Sequence, residues 1–217
     1  MRYDAIIFDF DYTLADSSKG TVECINYALD NMKLSCVPFE DASNTIGLSL
    51  KDTFISLTDK KYHSHDNFYL FSELFVKRAD EVMAEMTFLF EPIKNEIEKL
   101  KDKGFMLGIV STKFRYRIEN ILKRDGLIGY FDIIIGGEDV KENKPSPDGL
   151  LSAIKKLKKN KEDILYVGDS MTDLKTAKNA GVDFVAVTTG TTTKSKFEKN
   201  GVKKIVDNIV KLDNYVG

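Results

Sequence analysis

The amino-acid sequence predicts an α/β fold: a parallel sheet core covered by helices on both faces, with a helical subdomain inserted after the first strand. Three observations predict it. The C-terminal two thirds alternate short apolar runs with amphipathic stretches. Those runs are rich in Ile, Val and Phe with little polar alternation, as strands buried on both faces of a parallel sheet are. Between the first such run and this alternating region, from about residue 17 to residue 88, the spacing is helical and no segment reads as a buried strand.

The elements follow in order. AIIFDF (5–10) is the first strand. TVECINYALDNM (21–32), LKDTFISLTDK (50–60) and the segment 66–86 carry helical spacing. EPIKNEIEKLKDKG (91–104) is a helix closed by Gly104. FMLGIVS (105–111) is a strand, YRIENILKRDG (116–126) a helix ending on Gly126, and FDIIIGG (131–137) the next strand. SPDGLLSAIKKLKKN (146–160) is a helix with Pro147 near its first turn. DILYVGD (163–169), DLKTAKNAG (173–181) and DFVAVTTG (183–190) complete the alternation as strand, helix and strand, and IVDNIV (205–210) is short and strand-like. The expected domains are residues 1–16 with 89–217 for the core and 17–88 for the helical insertion.

Composition narrows the function classes. The chain has 217 residues, 42% hydrophobic and 30% charged, enough for one domain with an insertion and a sizeable core. Its 32 basic and 34 acidic residues are well mixed, for a net charge of -2. That leaves no basic footprint for nucleic acid and no polybasic arm for a membrane. No apolar segment approaches the ~20 residues that span a bilayer, and the first apolar run is too short for a signal peptide. Cys24 and Cys36 form no CxxC pair and are expected to be free thiols of a cytoplasmic protein. A monomer or homodimer acting on a small molecule is the expected state.

The informative residues sit where the strands finish. Asp9 and Asp11 end the first strand, two residues apart and so expected on one face. Ser111 and Thr112 end the second, Lys144 lies in KENKPSP after the third, Asp169 ends the fourth, and Asp173 starts the helix that follows. In an open parallel sheet the carboxyl ends share one rim, where ligands bind. Carboxylates gathered there repel one another unless a cation joins them, and oxygen ligands beside phosphate favour Mg2+. One acid can then attack phosphorus as a nucleophile, and the other can give a proton to the leaving oxygen and later take one from water. Lys144 would supply a point charge, and Ser111 a hydroxyl donor, for the oxygens of the transferring group.

These segments carry a resemblance. DFDYT (9–13), IVST (109–112), NKPSP (143–147) and GDSMTD (168–173) resemble, in order, the four motifs of the haloacid dehalogenase superfamily of phosphohydrolases. The helical insertion is similar to the cap of its phosphoglycolate phosphatase-like branch. The resemblance implies a Rossmann-like core and a Mg2+-dependent phosphatase acting on a small phosphorylated metabolite through an aspartyl phosphate. It implies Asp9 as nucleophile and metal ligand, and Asp11 as general acid and base that lends its backbone carbonyl to the metal. Asp169 would be a metal ligand, and Ser111 or Thr112 would hold the phosphoryl group with Lys144. Asp173 would orient a metal-bound water or Lys144, and Thr13 would fix the loop after the nucleophile. Phosphoglycolate is the favoured substrate. Pyrophosphate hydrolysis and β-phosphoglucomutase-like transfer are the alternatives, and a catalytically idle binding module is the remaining one.

Other segments have plainer readings. His63 and His65 lack a third ligand at suitable spacing and read as a solvated cap loop. FYLFSELF (68–75) reads as a packing face, and IKKLKKNKED (154–163) as a solvated helix end. TTGTTTKSKF (188–197) either lines the rim or is a capped loop. In the cap, NTIGLSLKDTF (44–54) resembles an IGxxL segment of the branch. It makes Gly47, Leu48 and Lys51 candidate substrate contacts, with the glycine leading a helix whose N–H groups would meet an anionic leaving group.

Overall fold

The run AIIF becomes the centre of the molecule's main sheet. The computed structural model describes residues 2–216. In chain order, β1 (Ala5–Phe8) is followed by the short β2 (Ala15–Asp16), then α1 (Ser18–Asn31), α2 (Phe39–Ser43), α3 (Leu50–Leu57), α4 (His65–Val82) and β3 (Phe88–Leu89). Then come α5 (Ile93–Asp102), β4 (Met106–Val110), α6 (Arg115–Arg124), β5 (Ile133–Ile135), α7 (Asp148–Leu157), β6 (Ile164–Gly168), α8 (Met171–Ala180), β7 (Asp183–Val187), α9 (Lys194–Lys199) and β8 (Ile205–Val206). The chain forms two compact units, Met1–Ala15 with Leu89–Gly217, and Asp16–Phe88.

In the first unit the sheet order is β5-β4-β1-β6-β7-β8, with parallel pairing throughout. All four residues of β1 are buried, as are all five of β6. Phe8 aligns with Ile109 of β4 on one side and Val167 of β6 on the other, and each neighbour runs one residue further, to Val110 and Gly168. The chain runs outward from β1 through β4 to β5, then crosses back to β6 beside β1. The carboxyl ends of β1, β4 and β6 therefore flank the point where strand order reverses, the usual ligand crevice of such sheets. On one face Ile7, Val110 and Tyr166 pack with Leu150, Ala153 and Leu157 of α7 and Ala177 and Ala180 of α8. Each aliphatic side chain buried there contributes about 1.5–3 kcal/mol.

The strands are shorter than the sequence suggests. FDIIIGG yields only Ile133–Ile135, and DFVAVTTG stops at Val187. IVDNIV contributes only Ile205–Val206 before a 3-10 turn over Ile209–Leu212. No helix among the described residues is long and apolar enough to cross a membrane.

The second unit is helical. Val22, Ile25, Ala28 and Leu29 of α1 pack with Phe71, Phe75 and Ala79 of α4 and Phe54 of α3. Phe54 and Phe71 rings lie 5.0 Å apart, and Arg78 pairs with Glu23 at 2.6 Å. FYLFSELF thus supplies the packing face expected of it, while Tyr69 and Leu70 stay exposed. His63 Nε2 lies 3.0 Å from the Thr58 carbonyl oxygen, and His65 is exposed.

Candidate active site

The acidic pair does not share a face as two residues of one strand. β1 ends at Phe8, and the chain turns at once: the N–H groups of Thr13, Leu14 and Ala15 all donate to the Phe10 carbonyl, at 3.3, 2.9 and 3.1 Å. Tyr12, at the tip, is left-handed with φ of 59°. The alternation rule stops where the strand stops, so each acid has its own partner. Asp9 Oδ1 lies 2.8 Å from Lys144 Nζ, and Asp11 Oδ1 lies 3.0 Å from Lys113 Nζ. Both acids are buried, and neither Oδ1 atom accepts a hydrogen bond, so the lysines hold them by charge rather than by aligned donors.

Lys144 is the hub. Its side chain is 4% exposed, and its ammonium stands between Asp9 Oδ1 and Asp173 Oδ1, the latter at 2.7 Å. Tyr166, in the middle of β6, donates its hydroxyl to the same Asp173 Oδ1 at 2.9 Å. Asp173 Oδ2 accepts from the Ser170 N–H at 3.1 Å and from the Ser170 hydroxyl, while Ser170 Oγ accepts from the Asp173 N–H. This reciprocal pair starts α8 and points Asp173 back at the rim. Asp169, directly after β6, accepts from the Thr13 hydroxyl through Oδ1 at 3.2 Å. Thr13 thus reaches across to Asp169, beyond the loop it was expected to steady.

Burial sets the electrostatics. It pushes Asp9 up to about 7, with Lys144 pulling the other way and Asp173 and Asp11 adding to the rise. Burial also raises Asp169 well above the usual carboxylate range, and repulsion from Asp173 and Asp9 adds to it. For Lys144 burial works to lower the value, yet the attraction of Asp173 and Asp9 wins and holds it above an ordinary lysine. Burial likewise raises the Tyr166 phenol, which stays a donor.

Carboxylate oxygens of Asp9, Asp169 and Asp173 all lie within 4.8 Å of one another. Asp173 is the poorest ligand of the three, because both its oxygens already accept from Lys144, Tyr166 and Ser170. Asp9 Oδ1 accepts no aligned hydrogen bond but is ion-paired with Lys144 Nζ at 2.8 Å. Three buried carboxylates gathered beside a single lysine carry negative charge that a hard divalent cation fits.

Asp9, Thr13, Lys144, Asp169 and Asp173 are thus brought together from positions far apart in the chain. Ser111 is buried at the end of β4, where its Oγ accepts from the Lys113 N–H at 3.3 Å, and Thr112 follows it half-buried. Gly47, Leu48 and Lys51 belong to the helical unit. Gly47 does not lead a helix: it sits in a turn with φ of 91°, and Ser49 caps α3 by accepting from the Asp52 N–H. A serine two residues on offers the side-chain oxygen that glycine lacks. Leu48 lines a groove of about 380 Å³ with Val37, Asn44 and Leu57, and Lys51 is exposed. Sequence reasoning missed Lys113 and Tyr166. A lysine two residues past a strand end was a positional signal for the first; nothing marked a tyrosine inside an apolar strand.

A model of the haloacid dehalogenase-like hydrolase family matches residues 6–187. A pyrophosphatase PpaX from Bacillus mycoides (strain KBAB4) is 30% identical over 187 residues, covering 86% of this chain and 84% of that protein. The crystal structure of a haloacid dehalogenase-like hydrolase from Bacteroides fragilis superposes with a TM-score of 0.92 at 40% identity, covering 97% of this chain and 99% of the other. One from Haemophilus somnus 129PT, described as a predicted phosphoglycolate phosphatase, has a TM-score of 0.87 at 25% identity, covering 99% and 98%. The family match runs from β1 through β7 and takes in every strand end that carries a site residue. The chain belongs to the haloacid dehalogenase-like hydrolase family.

Proposed function

We propose that the protein is a magnesium-dependent phosphatase that releases phosphate from a small phosphorylated metabolite through an aspartyl phosphate on Asp9. The observation that carries this reading is the buried Asp9 carboxylate, with Lys144 Nζ at 2.8 Å and no hydrogen bond on the Oδ1 facing it. An Asp9 oxygen attacks phosphorus, the bond from phosphorus to the leaving oxygen breaks, and Asp11 gives that oxygen its proton. Asp11 then takes a proton from water, which attacks the phosphorus and frees phosphate and Asp9. Lys144 faces the charge on the phosphoryl oxygens, with Ser111 as hydroxyl donor. Asp9, Asp169 and the Asp11 carbonyl would hold the magnesium, which when bound would neutralise phosphoryl charge.

Lys113 bears on the substrate. It sets a second buried cation beside Asp11, where the leaving group departs. A cation there suits an anionic leaving group, the carboxylate of phosphoglycolate or the second phosphate of pyrophosphate, better than a neutral sugar. Phosphoglycolate remains the favoured substrate, and the PpaX relatives support pyrophosphate as the second reading. Phosphate release from a panel holding phosphoglycolate, pyrophosphate and a hexose 1-phosphate, with and without Mg2+, tests the proposal. No Mg2+-dependent release from any of them would end it. Lys113→Met should lower kcat/KM for the anionic substrates by roughly 10- to 100-fold, the scale of a charge-assisted hydrogen bond, and less for the hexose phosphate. An equal loss on all three substrates would remove Lys113 from substrate selection.

The raised Asp9 pKa gives a pH test of cation binding. The folded value is about 7 against 3.8 for the unperturbed carboxyl. Between these values the folded chain holds a proton the unfolded chain has lost, so this group's contribution to stability falls as pH rises from about 4 to about 7. A divalent cation competes with that proton. Added Mg2+ should therefore raise the Tm more at pH 8 than at pH 5, measured by scanning fluorimetry. An equal shift at both pH values would place the cation elsewhere.

A further inference from the structure

We infer that Thr189 and Gly190, just beyond β7, are positioning residues that fix the Asp169 carboxylate and the turn carrying Asp11, and that Gly190 must lack a side chain for Asp169 to hold a divalent cation. The inference rests on the reading of Asp9 and Asp169 as the cation's ligands.

Two independent contacts carry it. The Thr189 hydroxyl donates to the carbonyl oxygen of Tyr12, the residue between Asp11 and Thr13. Tyr12 holds a left-handed backbone, which is strained for a non-glycine residue and persists only where its surroundings impose it. Its N–H is fixed by the Ala15 carbonyl at 2.7 Å, and its carbonyl by Thr189. One residue on, a Cβ built on Gly190 would overlap Asp169 Oδ2 and stand 2.7 Å from the carboxyl carbon. Gly190 is not left-handed, so alanine suits its backbone and the clash with Asp169 is what the methyl adds.

The contacts close a ring. Asp169 Oδ1 is set by Thr13, Oδ2 rests against Gly190, and Thr189 ties back to Tyr12, next to Thr13. The loop can impose this geometry because both its ends are anchored. The Thr188 N–H donates to the Val206 carbonyl at 3.1 Å, and Thr193 caps α9 by accepting from the Lys196 N–H at 3.3 Å. Residues that orient a ligand from behind typically cost roughly 10- to 100-fold in metal affinity when altered.

The test measures Mn2+ affinity by calorimetry on the parent, Gly190→Ala, Thr189→Val and Asp169→Asn, with the melting temperature of each without cation. Gly190→Ala should bind Mn2+ at least about tenfold more weakly and Thr189→Val several-fold more weakly, with melting temperatures near the parent's. A purely structural role would lower the melting temperature and leave affinity unchanged in whatever folds. Parent-like affinity in Gly190→Ala overturns the inference while leaving the metal reading intact. Should that variant not fold, Thr189→Val decides, because it removes a hydroxyl and keeps the shape; unchanged affinity there overturns the inference. A parent that binds no Mn2+, or an Asp169→Asn that binds as the parent does, removes the metal reading and this inference with it.

Discussion

Asp9→Asn is expected to abolish phosphate release, by on the order of 10^4- to 10^6-fold in kcat, the scale on which enzymes lose activity with their nucleophile. The amide has the carboxylate's shape but cannot form the aspartyl phosphate. The same change should not weaken the fold in the absence of cation. Burial makes the ionised Asp9 costly, as its rise to about 7 records, and Asn carries no charge to bury. Lys144 keeps Asp173 at 2.7 Å as its counter-ion. The melting temperature at pH 8 without Mg2+ should therefore equal or exceed the parent's. This pairs a lost activity with a kept or improved stability, which general damage to the fold does not produce. Residual turnover within a hundredfold of the parent would refute Asp9 as nucleophile.

The sheet was legible because parallel strands are buried on both faces, and continuous runs such as AIIF and ILYVG have few other places to go. Strand ends were less so. Gly136 and Gly137 extend the apparent run III, yet they form the turn where a Cβ would overlap the Arg115 N–H nitrogen and the Thr112 carbonyl oxygen. Thr188 to Gly190 have strand-like composition after β7, but their role is the loop against Asp169. Of the site, the acids and Lys144 could be read because each follows a strand whose carboxyl end must lie on one rim. What pairs with what could not. Asp9 and Asp11 looked like a couple on one face, and a turn two residues long sends them to different lysines. Tyr166 belongs to the site through one hydroxyl on an otherwise apolar strand, and only the third dimension shows Asp173 above it.

Lys144→Met is the variant in which stability and activity should both fall, and pH can separate them. The lysine's buried ammonium compensates Asp9 and Asp173, themselves 2% and 0% exposed in their side chains. Removing one partner of a buried ion pair costs about 3–5 kcal/mol, because the remaining charge stays desolvated. For a chain of this size that corresponds to a fall in Tm on the order of 10 °C at pH 8 without cation. Lowering the pH toward 5 protonates Asp9, so its share of the uncompensated charge disappears and part of the lost stability should return. Activity should not return with it. The variant has no cation to face the phosphoryl oxygens, and a loss of roughly 10^2- to 10^3-fold in kcat is expected, as when a transition-state donor is removed. Lys144→Arg keeps the charge but replaces a compact ammonium with a planar fork in a site built for two close carboxylates. It should recover part of the stability and little of the rate. Melting curves from pH 5 to 8 and phosphate release with Mg2+ on both variants check this. If Lys144→Met melts like the parent at pH 8, the three-residue ion cluster is not what keeps these acids tolerable, and the chemistry assigned to Asp9 loses its electrostatic basis.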